Sequence, residues 1–408
     1  MLTSNEIFSR ERLAGYDRDR LHQAVVLVVG AGALGQNTVQ NLALAGVGEI
    51  RIVDKDYFEE HNRTRSPAYP QPEEKELLGL SKARVVAYKT VRLMTSPDPV
   101  IRYAHAWIQE LGDGAFKDVD VVIACVDTPR ARAYLSDKAR MHAIAYIEGG
   151  FNGPDITLSC YPPVTGEEAV TSPCWRCSHQ DLFGAFSCAF YASLADKAGI
   201  IPAIQNAAAT LAGLQAEATV LALHGDSLFP IEFTAFDLNV RTLESRQIIL
   251  STDSLCPGVH RSIDEQVIKL HTSGKDSVEH LLQEVGEHFN SAPTIELFHP
   301  LIWTAPCPTC GRMTSVRASD WLWVMNTRCS GCAGPFTAIE QGDVDLSATV
   351  YTQLSFESGP EILGATCVEV GLPPLSIVEA TAEGEQSKFF ELSGNINDLF
   401  QQGDAYDQ

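Results

Sequence analysis

A glycine-rich turn between an apolar run and a helical pattern constrains this chain more than any other feature. Val25–Val29 is a continuous apolar stretch, which is typical of a parallel strand buried on both faces. Gly30, Gly32 and Gly35 follow at the G-x-G-x-x-G spacing, and a helix is predicted to begin near Ala33. Glycine lets backbone N–H groups approach an anion closely, and the positive end of the helix faces the same point. The pattern therefore predicts a phosphate-binding turn. The expected fold is an α/β, Rossmann-like, doubly wound and mostly parallel sheet.

The residues after this turn bear on which nucleotide binds. Asp54 lies 19 residues after Gly35, where a carboxylate can reach a ribose hydroxyl. The glycine fingerprint alone would favour an NAD-dependent oxidoreductase, although it fixes a fold better than a chemistry. The residues nearby suit a triphosphate instead, so we expect ATP. They are Asp54 and Asp56, followed by the largely cationic set Asn62, Arg63, Arg65 and Lys82.

The composition argues against nucleic acid and membrane as partners. The 408 residues imply two or three domains, and 30 Lys and Arg against 52 Asp and Glu give a net charge of −22. This charge opposes nonspecific binding to nucleic acid or anionic membrane. The N-terminus lacks the apolar region of a signal peptide, so we expect a cytoplasmic protein. Residues 200–223 are apolar, but the polar residues within them favour a buried helix over a membrane span.

Four of the 11 cysteines form a strong metal motif. Cys307 and Cys310 form one C-x-x-C knuckle, and Cys329 and Cys332 form another. Two such knuckles aim four thiolates at one tetrahedral ion, which predicts a structural Zn²⁺ ribbon.

A second Zn²⁺ site is predicted from Cys174, Cys177 and Cys256. The expected second knuckle reads Cys256-Pro-Gly-Val-His260, so His260 could replace the fourth thiolate. The alternative is a loop histidine beside unrelated cysteines.

Taken together, these motifs resemble the HesA/MoeB/ThiF superfamily, the E1-like enzymes that adenylate the C-terminal glycine of ubiquitin-like proteins. The resemblance covers roughly residues 5–260. It rests on the glycine turn, Asp54 and Asp56, the Asn62-Arg63-Thr64-Arg65 element, Gly79-Leu80-Ser81-Lys82, and the run from Asp120 to Asp127 that leads to Arg132.

The resemblance implies a role for each of these residues. Asp54 would hold the ribose, Arg65 and Lys82 the phosphates, and Asp127 a Mg²⁺ ion, and Arg132 would also contact the nucleotide. Phe8-Ser9-Arg10 resembles the family's N-terminal arginine motif, in which the arginine reaches the ATP of a neighbouring subunit. A homodimer with shared sites is therefore expected, although Arg65 and Arg10 could also be solvated surface charges.

The resemblance also places Cys188 at the position of the family's catalytic cysteine. It would attack the acyl-adenylate to form a thioester, because a thiolate is a strong nucleophile. The alternative is a small buried hydrophobic residue. Transfer to a conjugating enzyme, as in bacterial systems that include antiviral ones, is the preferred function. The second hypothesis is activation of a sulfur carrier for thiamine or molybdopterin synthesis. An NAD-dependent oxidoreductase and a non-catalytic nucleotide-binding scaffold are the less favoured alternatives.

The predicted domains are an adenylation domain at 1–260 with a cysteine-bearing crossover at about 165–199, and an α+β module at 261–400. The module would hold a helix at 277–289, strands near 265–270, 349–356, 367–370, 376–380 and 388–392, and the zinc ribbon at about 305–335. Residues 371–378 and 389–394 weakly resemble a ubiquitin-fold tail that recruits a conjugating enzyme, and a purely structural tail is equally open. Residues 401–408 are predicted to be disordered.

Overall fold

The computed structural model describes residues 8–179, 202–225, 232–263, 266–307, 309–319, 328–334 and 348–403. They form two compact units. The first contains residues up to 108, residues 118–262 and those from 400 onward, and the second contains residues 109–117 and 263–399.

The strands and helices follow one another along both units. The strands are β1 (Val25–Val29), β2 (Glu49–Val53), β3 (Val100–Ala104), β4 (Val121–Ala124), β5 (Ala145–Asn152), β6 (Asp155–Tyr161), β7 (Thr234–Asn239), β8 (Ser245–Ile249), β9 (Val267–Ser273), β10 (Thr294–Pro306), β11 (Met313–Ser319), β12 (Thr349–Leu354), β13 (Ile377–Thr381), β14 (Lys388–Ser393) and β15 (Gln401–Gln402). The helices are α1 (Ser9–Leu13), α2 (Arg18–Gln23), α3 (Ala33–Ala45), α4 (Lys82–Val91), α5 (Ile108–Leu111), α6 (Pro129–Met141), α7 (Gly166–Thr171), α8 (Gln205–His224), α9 (Val278–Gly286), α10 (Pro360–Leu363) and α11 (Ile396–Leu399).

A nine-stranded sheet forms the centre of the first unit, in the order β15-β3-β2-β1-β4-β5-β6-β7-β8. The five strands from β3 to β5 are parallel, whereas β6, β7, β8 and β15 pair antiparallel. The apolar run Val26–Val29 is buried on both faces, as predicted for a strand inside a parallel sheet. The α/β fold class is therefore confirmed, with an antiparallel extension at each edge.

The second unit has its own sheet, in the order β11-β10-β13-β14-β9, with β12 also paired to β10. The predicted apolar face of α9 is confirmed, because Val278, Leu281, Leu282 and Val285 are fully buried. This unit is the smaller α+β module that carries the second cysteine cluster.

One predicted strand of the module is wrong. Residues 368–370 form a short 3₁₀ turn instead. Thr366 and Glu369 cap this turn, since the backbone N–H of each donates to the side chain of the other. Gly371 then ends it at a φ of +85°, which favours glycine. Local capping thus overrides the strand-like composition.

The C-terminal tail also differs from the prediction of disorder from residue 401. Gln401–Gln402 pair with β3, the Tyr103 hydroxyl donates to Gln401 Oε1 at 2.6 Å, and Gly403 N–H donates to the Ile101 carbonyl at 2.8 Å. These bonds satisfy an edge that β3 would otherwise expose. Residues 404–408 lie outside the part of the chain that the structure describes.

The predicted buried helix at 200–223 corresponds to α8, which begins at Gln205. Within the described ranges, no helix combines the length and the apolar character that crossing a bilayer requires.

Candidate functional site

The glycine-rich turn joins β1 to α3, and its glycines have different surroundings. A Cβ on Gly35 would lie 1.8 Å from the Gly30 carbonyl oxygen, and one on Gly30 would lie 2.3 Å from the Cys125 carbonyl oxygen. Gly30 also has a φ of +98°. Among the residues that the structure describes, nothing lies within 4 Å of the corresponding point on Gly32, the N-cap of α3. Two glycines therefore allow close backbone packing, and the third leaves open space at the positive end of a helix.

Asp54 follows the end of β2 and is tied to the turn. Its Oδ2 accepts the Ala31 N–H at 2.6 Å, and its Oδ1 accepts the Asp56 N–H at 2.7 Å. Burial raises the pKa of Asp54, and these two hydrogen bonds and Lys82 oppose that rise. The carboxylate is thus held in one orientation beside the turn, as ribose recognition requires.

Lys82 begins α4 and faces Asp56. Ser81 caps the helix, the Lys82 N–H donates to the Asp56 carbonyl at 2.8 Å, and Nζ lies 3.2 Å from Asp56 Oδ2. The Lys82 side chain is only 12% exposed. Partial burial raises the pKa of Asp56, but Lys55 and Lys82 outweigh it, so the net pKa is lowered. A positioned ammonium group therefore stands beside the end of β2, where it could meet a phosphate.

The segment with Asn62 and Arg65 is organised by its own hydrogen bonds. Asn62 is buried, and its Oδ1 accepts the Glu59 N–H at 2.9 Å in a short 3₁₀ turn. Arg65 is half-buried and donates from Nη1 to the His61 carbonyl at 2.8 Å. Asn62 thus shapes the turn that carries Arg65, a role that the expectation of direct nucleotide contact did not include.

Gln36 is a site residue that sequence reasoning missed. Its Nε2 donates to the Ala31 carbonyl at 2.9 Å, and its Oε1 accepts the Ala68 N–H at 2.9 Å. Fully buried, it joins the glycine turn to the segment that carries Arg65. The one available signal was a polar residue directly after the third glycine, at a position of the helix that is buried.

Asp127 lies in the loop between β4 and α6 and is exposed. Thr128 caps α6 by accepting the Ala131 N–H at 3.3 Å. Asp127 thereby follows the carboxyl end of a strand adjacent to β1, the edge at which open α/β sheets bind ligands. A carboxylate there suits a divalent cation that carries phosphates.

Arg132 was predicted among the nucleotide contacts, but its guanidinium faces the protein. It donates to the Val126 carbonyl at 2.6 Å and to the Gly149 carbonyl at 3.1 Å, and it forms an ion pair with Glu148. Burial lowers the pKa of Arg132, and the charge of Asp127 is among the influences that oppose this.

Gln215 supplies a second buried polar network behind the turn. Its Oε1 accepts from Thr38 Oγ1 at 2.9 Å and from Cys125 Sγ at 3.4 Å, and its Nε2 donates to the Ala124 carbonyl at 3.3 Å. These bonds tie α8 to α3 and to the end of β4. The polar residue in the apolar helix is therefore satisfied rather than stray.

The predicted mixed cysteine and histidine site is brought together. The ligand atoms of Cys174, Cys177, Cys256 and His260 lie within 4.8 Å of one another. Cys174 Sγ lies 3.6 Å from Cys256 Sγ, and Cys177 Sγ lies 3.4 Å from His260 Nε2. Three thiolates and one imidazole are a donor set that Zn²⁺ accepts in tetrahedral geometry.

Side chains of helix α6 form hydrogen bonds with the loops that carry this cluster. Asp137 accepts from Arg176 Nη1 at 3.1 Å and from the Val259 N–H at 3.0 Å. Arg176 lies between Cys174 and Cys177 in the sequence, and Val259 lies between Cys256 and His260. Arg140 adds hydrogen bonds to the Ala169 and Pro173 carbonyls. Because Asp137 bonds to both ligand-bearing loops, α6 fixes the position of one loop relative to the other.

The second cysteine cluster lies in the smaller unit. The sulfur atoms of Cys307, Cys310, Cys329 and Cys332 also lie within 4.8 Å of one another. Backbone N–H groups of Cys332 and Gly331 lower the pKa of Cys329 to about 6. A thiol that ionises readily in a set of four is suited to a structural zinc ion.

Two predicted residues complete the account. Arg10 lies on α1 and is exposed, as an arm that reaches another subunit would require. Cys188 lies outside the described residues.

Comparison with known protein sequences adds three findings. The model of the ThiF family matches residues 6–258. The adenylyltransferase and sulfurtransferase uba4 of Aspergillus fumigatus (strain CBS 144.89 / FGSC A1163 / CEA10) is 33% identical over 161 residues, or 39% of this chain and 31% of that protein. The sulfur carrier protein ThiS adenylyltransferase of Bacillus subtilis (strain 168) is 28% identical over 243 residues, or 58% of this chain and 65% of that protein.

Among solved structures, E. coli MccB is similar, with a TM-score of 0.51 and 16% identity over 65% of this chain and 75% of that one. At this identity the similarity concerns the fold alone. The matched region spans about a third of the length of the fungal relative.

Proposed function

Because this chain belongs to the ThiF family, we propose that it uses ATP to adenylate the C-terminal carboxylate of a small ubiquitin-like or sulfur-carrier protein that ends in glycine. The observation that carries this proposal is the position of three groups at the carboxyl ends of neighbouring parallel strands. The open Gly32 position follows β1, the Asp56–Lys82 pair follows β2, and Asp127 follows β4. Ligands of open α/β sheets bind at this edge.

The chain's residues divide the work of the reaction. A carboxylate oxygen of the protein substrate attacks the α-phosphorus, the bond from that phosphorus to the bridging oxygen breaks, and pyrophosphate leaves. Lys82 and Arg65 would stabilise the charge that builds up on the phosphates, and Asp54 would orient the ribose. Asp127 would hold Mg²⁺, which supplies further charge neutralisation when bound.

Two substrates fit this chemistry. The activities for which the Bacillus and Aspergillus relatives are named favour a sulfur carrier, whose adenylate would receive sulfur. A ubiquitin-like modifier would instead pass to Cys188, whose thiolate attacks the acyl carbon and releases AMP. The thioester would then move to a conjugating enzyme, with the smaller unit as its docking module. The position of Cys188 in the sequence supports this second route.

The decisive experiment is ATP–pyrophosphate exchange with a panel of glycine-terminated small proteins. We expect exchange that depends on one of these proteins. Its rate should fall at least a hundredfold in Lys82→Ala, because loss of a charged contact to the transferring phosphates raises the activation free energy by about 3 kcal/mol. Lys89→Ala is the matched control, because Lys89 lies on the same helix and pairs with Glu74 at 2.6 Å. Absence of exchange with every partner would refute the proposal and leave NAD binding or a scaffold role.

Mass spectrometry of the same reactions separates the two routes. A thiocarboxylate on the small protein selects sulfur transfer. A thioester on the enzyme that disappears in Cys188→Ala, while exchange persists, selects conjugation. No thioester on non-reducing gels of the wild-type enzyme would exclude the second route.

A further inference from the structure

The loop that carries Asp127 is held from two sides. On one side the Cys125 N–H donates to the Val29 carbonyl at 2.8 Å, and the Cys125 carbonyl fills the space beside Gly30. On the other side Arg132 donates to the Val126 carbonyl, the last acceptor before Asp127, at 2.6 Å. The peptide before the carboxylate is therefore fixed, although the carboxylate itself is exposed.

The Arg132 guanidinium is held in place by residues of β5. Its planar fork also meets the Gly149 carbonyl and the Glu148 carboxylate, which belongs to a residue only 5% exposed. A Cβ on Gly150 would lie 3.2 Å from Arg132 Nη2, so glycine leaves room for the guanidinium. A lysine ammonium group lacks this fixed fork, so it would not hold the three acceptors in the same arrangement.

We propose that Arg132 and Glu148 form a positioning pair, which orients Asp127 toward the magnesium complex of ATP without touching the nucleotide. This inference rests on the proposed function. Arg132 would then support the cation site instead of contacting the nucleotide, as the sequence had led us to expect. Removing the support should weaken binding of the complex by about tenfold, the range found for groups that orient metal ligands.

The test uses the full chain and measures affinity for ATP with and without Mg²⁺, together with the thermal midpoint. Arg132→Lys keeps the charge opposite Glu148 but loses the fork, so the fold should survive. We expect Mg²⁺-ATP affinity to fall about tenfold, while affinity for ATP alone changes less than about twofold. Glu148→Gln should act in the same direction. Arg51→Lys is the matched control, because Arg51 forms a buried ion pair with Glu49 at 2.6 Å on β2.

A double-mutant cycle with Asp127→Asn provides the sharper criterion. If the pair acts through Asp127, adding Arg132→Lys to Asp127→Asn should cost less than about twofold further affinity. Multiplying losses, or equal losses with and without Mg²⁺, would overturn the positioning role. A wild-type chain that binds no Mg²⁺-ATP would instead contradict the proposed function, so the two failures are distinct.

Discussion

Gly35 lies so close to Gly30 that a Cβ at position 35 would be 1.8 Å from the Gly30 carbonyl oxygen, closer than any non-bonded contact allows. Gly35→Ala must therefore displace the turn or the start of α3. We expect a lower thermal midpoint and a loss of ATP affinity together, because overpacking typically costs about 1–3 kcal/mol.

Gly32→Ala serves as the matched partner of that variant. Its Cβ would meet no neighbour within 4 Å in the described part of the chain, and its φ of −76° suits alanine. The thermal midpoint should stay within about 2 °C of wild type, while ATP affinity falls because the methyl group occupies the approach of the phosphate. Unchanged ATP affinity in Gly32→Ala would contradict the placement of phosphate at this turn.

The two cysteine clusters should bind zinc independently. Elemental analysis is expected to find about two zinc ions per chain, and about one in Cys256→Ser, His260→Ala or Cys310→Ser. Cys367→Ala should keep both, because Cys367 is buried in the core of the second unit and belongs to neither cluster. Two zinc ions in His260→Ala would show that a different fourth ligand completes the first site.

Shared sites in a homodimer predict complementation between two inactive chains. Arg10→Ala and Lys82→Ala should each lack exchange activity. In a random mixture, half of the dimers are mixed, and each of these has one intact site, so about a quarter of wild-type activity should return. Activity that stays near zero after subunit exchange, verified by mass, would indicate that Arg10 does not act across subunits.

Acid stability of the second unit should depend on Glu284. This carboxylate accepts the His271 and Thr272 N–H groups at 2.7 and 2.8 Å and the Thr272 hydroxyl. Partial burial raises the pKa of Glu284, but these bonds outweigh it, so the pKa lies below its ordinary value of 4.5. The stabilisation is present above pH 4.5 and is lost as the pH falls through the lower folded-state pKa.

Urea unfolding of Glu284→Gln measures this effect. The variant should be less stable than wild type at pH 7, and the difference should shrink below about pH 4. Glu287→Gln, at the exposed residue that directly follows the same helix, is the control and should show little change at either pH. A deficit that is equal at pH 7 and pH 3 would mean that the charge of Glu284 is not what stabilises the fold.

The sequence predicted those features that depend on neighbours along the chain. The strand Val25–Val29, the helix from Ala33 and both cysteine clusters arise from short-range pattern or from ligand chemistry. Gln36 and Gln215 escaped prediction because their partners lie 32 and 177 residues away. The direction of the Arg132 side chain escaped it for a similar reason, since two of its three acceptors, the Gly149 carbonyl and the Glu148 carboxylate, lie on β5.

The division of the chain between the units has a consequence for any attempt to dissect it. Residues 109–117 belong to the second unit although they lie inside the sequence of the first, and residues from 400 onward return to the first. A gene cut after residue 262 would yield one fragment without its outer strand Gln401–Gln402 and another without its early segment. No single cut liberates either half intact, so swapping modules with another protein would require rejoining the chain at several places.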